Sequence, residues 1–241
     1  MTASPACPSC ATPVPAGAFA CPACMLALRA ERGALVPVYP PIKPSPPIYH
    51  VDLRVPGALP MSLDPQAVER SGTLRFSPTP HGMRVDCVAG KSFEWKMPFM
   101  RLRDACIGAG IPAAGGSARV TLFARSSELG SYRKYYGLML DVQDRQVACA
   151  RYLTGGLGQR SQFTLITPWT RHAALDRIGH ESSLELRVQG PVLEGWLDGQ
   201  RIAVTHDPYL GMGHVGVRID AQRSGPGFAV LGAIWIAGVV A

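Results

Sequence analysis

Long apolar runs are missing from this chain. No uncharged stretch approaches the roughly 20 residues that a membrane helix needs, and the longest candidate, residues 228–241, reads better as a terminal core strand. The first residues, Met1 to Cys7, contain neither a basic segment nor an apolar one, so no secretory signal is expected. Basic runs are missing too: the net charge of +7 and pI near 9.2 come from Lys and Arg scattered along the chain. That distribution describes a solvated basic surface and not a nucleic-acid track. The histidines His81, His172, His180, His206 and His214 are dispersed without His-x-x-x-His spacing, and no Gly-x-Ser-x-Gly elbow occurs. Seven cysteines are an odd number, and Cys87, Cys106 and Cys149 stand apart from one another. A disulfide framework is therefore not expected, and a cytoplasmic, reducing location is.

What the chain does contain is strand alternation. In Leu184-Glu185-Leu186-Arg187-Val188-Gln189 the apolar residues fall on one parity and the polar ones on the other, as a half-buried strand requires. Leu193 and Leu197 occupy one face of the next strand, with Glu194, Trp196 and Asp198 on the other. Asp198-Gly199 suits a two-residue type I′ hairpin, which needs φ > 0 at both central positions, and Ile202 and Val204 carry the return strand. His214 to Asp220 alternates again, which predicts a three-stranded antiparallel meander with its predecessors.

These residues also carry a resemblance. Leu184-x-Leu186-x-Val188, then Val192-x-Glu194-x-Trp196-Leu197-Asp198-Gly199-x-x-Ile202, then Gly213-x-Val215-Gly216-Val217, resemble the C-terminal half of concanavalin A-like jelly rolls of the laminin-G and keto-disaccharide-hydrolase-like kind, over roughly residues 70 to 237. The resemblance implies a mainly β fold, an antiparallel β-sandwich, and speaks to fold more than to activity.

Cys7-Pro8-Ser9-Cys10 and Cys21-Pro22-Ala23-Cys24 form two Cys-x-x-Cys knuckles. Folded over one another, they present four thiolates to one tetrahedral Zn²⁺ at about 2.3 Å; an iron site on the same four ligands stays open. The pattern resembles the short zinc ribbons of bacterial N-termini. No Lys or Arg lies between Cys7 and Cys24, and Phe19 is the sole aromatic there, so nucleic acid is not the expected partner.

Taken in order, Met25 to Leu35 reads as a short helix ending at Gly33. The prolines Pro37, Pro40, Pro41, Pro44, Pro46 and Pro47 predict a stiff polyproline II arm. Val51 to Val55 suits a short edge strand, and Asp64-Pro65 a turn. Strands are then expected at 72–76, 82–88, 91–97, 118–126, 136–142 and 146–153. A loop is expected over Arg103 to Gly116, a turn at Gly155 to Gly158, and a covering loop over Thr167 to His180. The expected domains are a ribbon and helix over 1–33, a linker over 34–50 and the sandwich over 51–241.

Glycoside cleavage needs two carboxyl groups about 5 to 10 Å apart. Glu194 and Asp198 share a strand face but stand roughly 13 Å apart at strand rise, and the Glu-x-Asp-x-x-Glu run of related glucanases is absent. The expected protein is therefore not an enzyme. It is a docking and assembly protein whose zinc ribbon and arm engage a protein partner or a second subunit. The alternatives are a carbohydrate-binding module and a divergent glycoside hydrolase. For the first, Trp196 and Trp169 are the candidate rings: Trp196 would stack a sugar beside Glu194, with Arg218 and Asp220 on a neighbouring strand, and the competing expectation is that Trp196 is packed beneath a covering loop, with Trp169 as that cover.

Overall fold

The computed structural model describes residues 6, 13–15, 28–31, 34–37, 41–60, 74–129, 132–154, 162–171, 175 and 182–240. The chain divides into two units, Met1–Pro41 and Ile42–Ala241. The four knuckle cysteines, the expected turns at Asp64 and at 155–158, and most of the Thr167 to His180 loop lie outside the described residues.

In the first unit, β1 (Leu28–Glu31) and β2 (Ala34–Pro37) pair antiparallel, with Glu31 opposite Ala34. This replaces the helix expected over Met25 to Leu35. Helix propensities differ by a few tenths of a kcal/mol per residue, and strand pairing overrides them readily.

The second unit is an antiparallel sandwich, as the alternation predicts. Its strands in chain order are β3 (Lys43–Asp52), β4 (Leu74–Thr79), β5 (Gly82–Cys87), β6 (Ser92–Lys96), β7 (Ala105–Ile111), β8 (Ala113–Gly116), β9 (Ala118–Leu129), β10 (Tyr132–Asp141), β11 (Gln146–Thr154), β12 (Gln162–Leu165), β13 (Thr170–Arg171), β14 (Ser182–Gln189), β15 (Val192–Leu197), β16 (Gln200–His206), β17 (His214–Ala221), β18 (Gly227–Leu231) and β19 (Ala233–Val240). One sheet runs β12-β11-β10-β9-β17-β6, with β13 beside β11; a second runs β16-β15-β14-β7-β19-β3; a third runs β4-β5-β18-β8. Val120, Leu122, Leu138, Leu140, Val217 and Ile219 of the first meet Ile107, Leu184, Leu186, Leu193 and Ile234 of the second in one buried core.

Three expectations change here. Part of the proline arm is β3, hydrogen-bonded to β19 with register shifts at Ile236/Ala237 and Ala237/Val239. Proline tolerates a sheet only at an edge or a bulge, and β3 has both. The Arg103 to Gly116 loop is β7 and β8, with β7 central in its sheet. Its small residues mislead because they serve packing: a Cβ on Gly108 would sit 2.0 Å from the Trp235 ring. Finally, β17 is not the third strand of a meander. The chain leaves β16, crosses the end of the sandwich and enters the opposite sheet between β9 and β6.

A buried polar network holds that crossing. The Tyr136 hydroxyl donates to Asp207 at 2.8 Å and accepts from the Leu210 N–H at 2.8 Å. Arg125, 4% exposed, donates to the carbonyls of Arg103, Leu210 and Gly190 and to Asp104.

Candidate functional site

The five side chains expected to form one ligand site fall on two sheets. Glu194 and Trp196 share the outer face of β15, and Asp198 with Gly199 makes the turn as expected, at φ 49° and 73°. Glu194, however, is 0% exposed and saturated. It accepts from the Ile42 backbone N–H at 3.0 Å, from Trp196 Nε1–H at 2.9 Å and from Arg201 at 3.0 Å. The Arg187 guanidinium lies over the Trp196 ring, 4.0 Å from its centroid. This corner has its acceptors filled and one indole face covered by its own chain.

Arg218 and Asp220 stand on the outer face of the other sheet, with different neighbours. Antiparallel register sets Arg218 opposite Glu94 of β6 and opposite Thr121 of β9. Arg218 pairs with Asp220 at 2.6 Å and reaches Glu94 at 3.6 Å. Burial works against its charge, and the Asp220 carboxylate, with Glu94 behind it, more than offsets that, leaving the guanidinium more firmly protonated than usual. Arg133 pairs with Glu94 and approaches Glu128 at 3.6 Å. Lys96 holds the Glu128 carboxyl below its ordinary range through a 2.8 Å hydrogen bond.

Aromatic rings run beside this charged lattice. Tyr152 lies opposite Tyr135 on β10 and opposite Phe163 on β12, so the three share a face. Tyr135 and Tyr152 stack at 5.1 Å, and Phe123 and Tyr135 meet at 5.5 Å. Glycine makes room for this floor, since a Cβ on Gly216 would lie 2.4 Å from the Phe123 ring. The Arg133 guanidinium lies over both rings, 5.7 Å from Phe123 and 5.1 Å from Tyr135. Burial pushes the Tyr135 phenol up to about 12. Tyr152 is half-buried and Phe163 is 49% exposed, so the open part of the row lies toward β12. From β9 to β12 the row spans three strand spacings, about 14 Å.

Trp169 closes another part of the same face. It packs on Met139, Ala148 and Ala150, with the Arg119 guanidinium 4.9 Å from its ring. It therefore covers the seven-stranded sheet and not Trp196. Sequence reasoning missed Glu94, Arg133, Tyr135, Tyr152 and Phe163 because they come from four strands whose order the local pattern does not give. The available signal was Tyr135 to Arg151, where aromatic and basic residues stand on both sides of the Asp144-Arg145 turn.

Among the described residues, no group of three or more His, Cys, Asp or Glu side chains is placed to hold a metal ion. Also among them, no helix is long and apolar enough to cross a membrane.

No protein-family profile matches the chain, and no curated protein sequence does. Solved structures are similar in fold. A protein with a galectin-like fold from Bacillus subtilis has a TM-score of 0.55 at 13% identity, over 83% of this chain and 99% of that one. The apo Crh5 transglycosylase has a TM-score of 0.50 at 12% identity, over 81% and 89%. The carbohydrate-binding module CBM66 from Bacillus subtilis has a TM-score of 0.48 at 13% identity, over 67% and 91%. At these identities the likeness shows the fold, a concanavalin A-like or galectin-like jelly roll. It also corrects the expectation of a docking and assembly protein. The sandwich that makes up most of the chain has the architecture of a galectin-like protein and of a protein named as a transglycosylase.

Proposed function

We propose that the chain binds a glycan on the outer face of the seven-stranded sheet, along Phe163, Tyr152, Arg133, Arg218 and Asp220. The observation that carries this reading is the position of Arg218, set between Asp220 and Glu94 beside a row of rings. Carboxylates accept from sugar hydroxyls, guanidinium groups donate to ring and hydroxyl oxygens, and aromatic faces take the C–H faces of the sugar. From Phe163 on β12 to Arg218 on β17 the proposed contacts span four strand spacings, about 19 Å, which suits an oligosaccharide better than a single sugar. The shared architecture with a transglycosylase supports the reading.

Binding, and not cleavage, is the reading adopted, because Glu94, Asp220 and Glu128 are each engaged by a cationic side chain. Cleavage is the second reading, favoured by two carboxylates, Glu94 and Asp220, flanking one guanidinium. Screening on a glycan array followed by calorimetry tests the proposal. Tyr152→Ala and Arg218→Ala lower affinity at least tenfold, and Trp196→Ala leaves it within twofold. Release of shorter sugars during the titration, lost in Glu94→Gln, favours cleavage instead.

We also propose one Zn²⁺ held by Cys7, Cys10, Cys21 and Cys24 as a structural staple. The duplicated Cys-x-x-Cys spacing supports it. Cys87, Cys106 and Cys149 are unpaired thiols, which supports a reducing, cytoplasmic location.

A further inference from the structure

We propose that the sandwich end built from residues 97–102 and 207–213 docks onto an anionic lipid surface. Phe99 is 82% exposed, Tyr209 60% and Met212 54%, three large apolar side chains on two neighbouring loops. Leu102 and Gly213 exchange both backbone hydrogen bonds, at 2.8 and 3.0 Å, which fixes the loops side by side.

The display is rigid. Met97 donates its N–H to the Val215 carbonyl at 2.9 Å. His214 Nδ1 lies 3.0 Å from the Met97 carbonyl and 3.1 Å from that of Met100. Carbonyls only accept, so this nitrogen carries the hydrogen and clamps both ends of the turn that carries Phe99. On the second loop, Leu210 is buried, its N–H bonded to the Tyr136 hydroxyl and its carbonyl to Arg125. Gly213 packs so closely on β9 that a Cβ would lie 2.4 Å from the Ser126 carbonyl oxygen. A fixed scaffold thus holds the apolar side chains away from the core.

Charge selects the partner. Arg101 and Arg103 are exposed beside Phe99, with no ion-pair partner among the described residues. The acidic groups bordering the loops are engaged elsewhere, Asp104 by Arg125 and Asp207 by Arg151. Three side chains on two loop tips fall far short of the roughly 800 Å² per partner of a stable protein interface. They do match peripheral membrane binding, in which apolar side chains enter the headgroup and acyl boundary to a depth of about 5–10 Å under attraction to anionic lipid. The inference is independent of the glycan reading, because none of these loop residues lies in the aromatic row.

The test is sedimentation of the full chain with vesicles of phosphatidylcholine alone, and with about a third phosphatidylserine. The expected result is at least tenfold tighter association with the anionic vesicles at low salt, weakened severalfold in high salt. Phe99→Ser removes it, and Arg101→Glu with Arg103→Glu abolishes the lipid preference. Phe99 is almost fully exposed, so these variants keep the wild-type circular dichroism spectrum. No vesicle binding, binding unchanged in Phe99→Ser, or a Phe99-dependent dimer in sedimentation equilibrium would each overturn the proposal.

Discussion

Glu194 and Ile42 are joined across 152 residues of chain by a 3.0 Å hydrogen bond from the Ile42 N–H to a carboxylate that is 0% exposed. Arg187, the cross-strand partner of Glu194, takes the Ile42 carbonyl at 2.9 Å. One pair of side chains thus satisfies both backbone groups of the residue that leads into β3. Glu194→Ala strands that N–H, the Trp196 indole and Arg201 together. It is expected to cost about 3 kcal/mol, or roughly 6–12 °C in Tm. Chemical and thermal denaturation of the variant check this, and an unchanged Tm contradicts it.

Arg125 carries a comparable load on the opposite side of the core. Its guanidinium ties three loop carbonyls and Asp104 together at the end of the sandwich. Arg125→Met is expected to lose about 3 kcal/mol, because it removes four hydrogen bonds at once and leaves the buried Leu210 carbonyl unpaired. Hydrogen exchange is expected to quicken at Leu210 and Gly190, whose N–H groups bond to Tyr136 and Asp104, parts of the same network.

How much of this was legible in advance differs between the two levels. Alternation in Leu184 to Leu197 and the Asp198-Gly199 turn are local, and they specified their strands, faces and hairpin. Which sheet receives β17 depends on a crossing held by Tyr136, Asp207 and Arg125, and no pattern within His214 to Asp220 encodes that. The local pattern therefore identifies Arg218 and Asp220 as polar strand residues and sets them beside Trp196, whereas the fold places them on the opposite sheet. The glycines of β7 read as loop residues because the ring that requires Gly108 to be small, Trp235, lies far along the chain. Glu194 looked like a surface carboxylate because its donors include the backbone of Ile42.

The sandwich thiols set the alkaline limit. Burial pushes Cys87 up to about 11 and Cys106 and Cys149 up to about 12. A group whose folded value is raised contributes stability that is complete below its unfolded value and is lost as pH climbs through the folded one. Unfolding free energy is therefore expected to hold to about pH 9 and to fall steadily toward pH 12, where Tyr135, also raised to about 12, adds to the loss. Peptide mapping after iodoacetamide at pH 8 is expected to find Cys149 unmodified in the native protein and modified in urea.

Metal analysis of the purified chain is expected to return one zinc per polypeptide, retained in Cys87→Ala and lost when Cys7 and Cys10 are both replaced by Ser. Removing it with a chelator should expose residues 7–24 to proteolysis and leave the sandwich's thermal transition unchanged, since small metal-stapled modules fold with their ion.

The central claim is tested most directly by calorimetric titration of one array-selected oligosaccharide into the wild type, Arg218→Ala, Tyr152→Ala and Trp196→Ala. Saturable binding to the wild type is predicted, weakened at least tenfold in the first two variants and unchanged in the third. Binding that depends on Trp196 and ignores Arg218 and Tyr152, or no glycan binding at all, would contradict it.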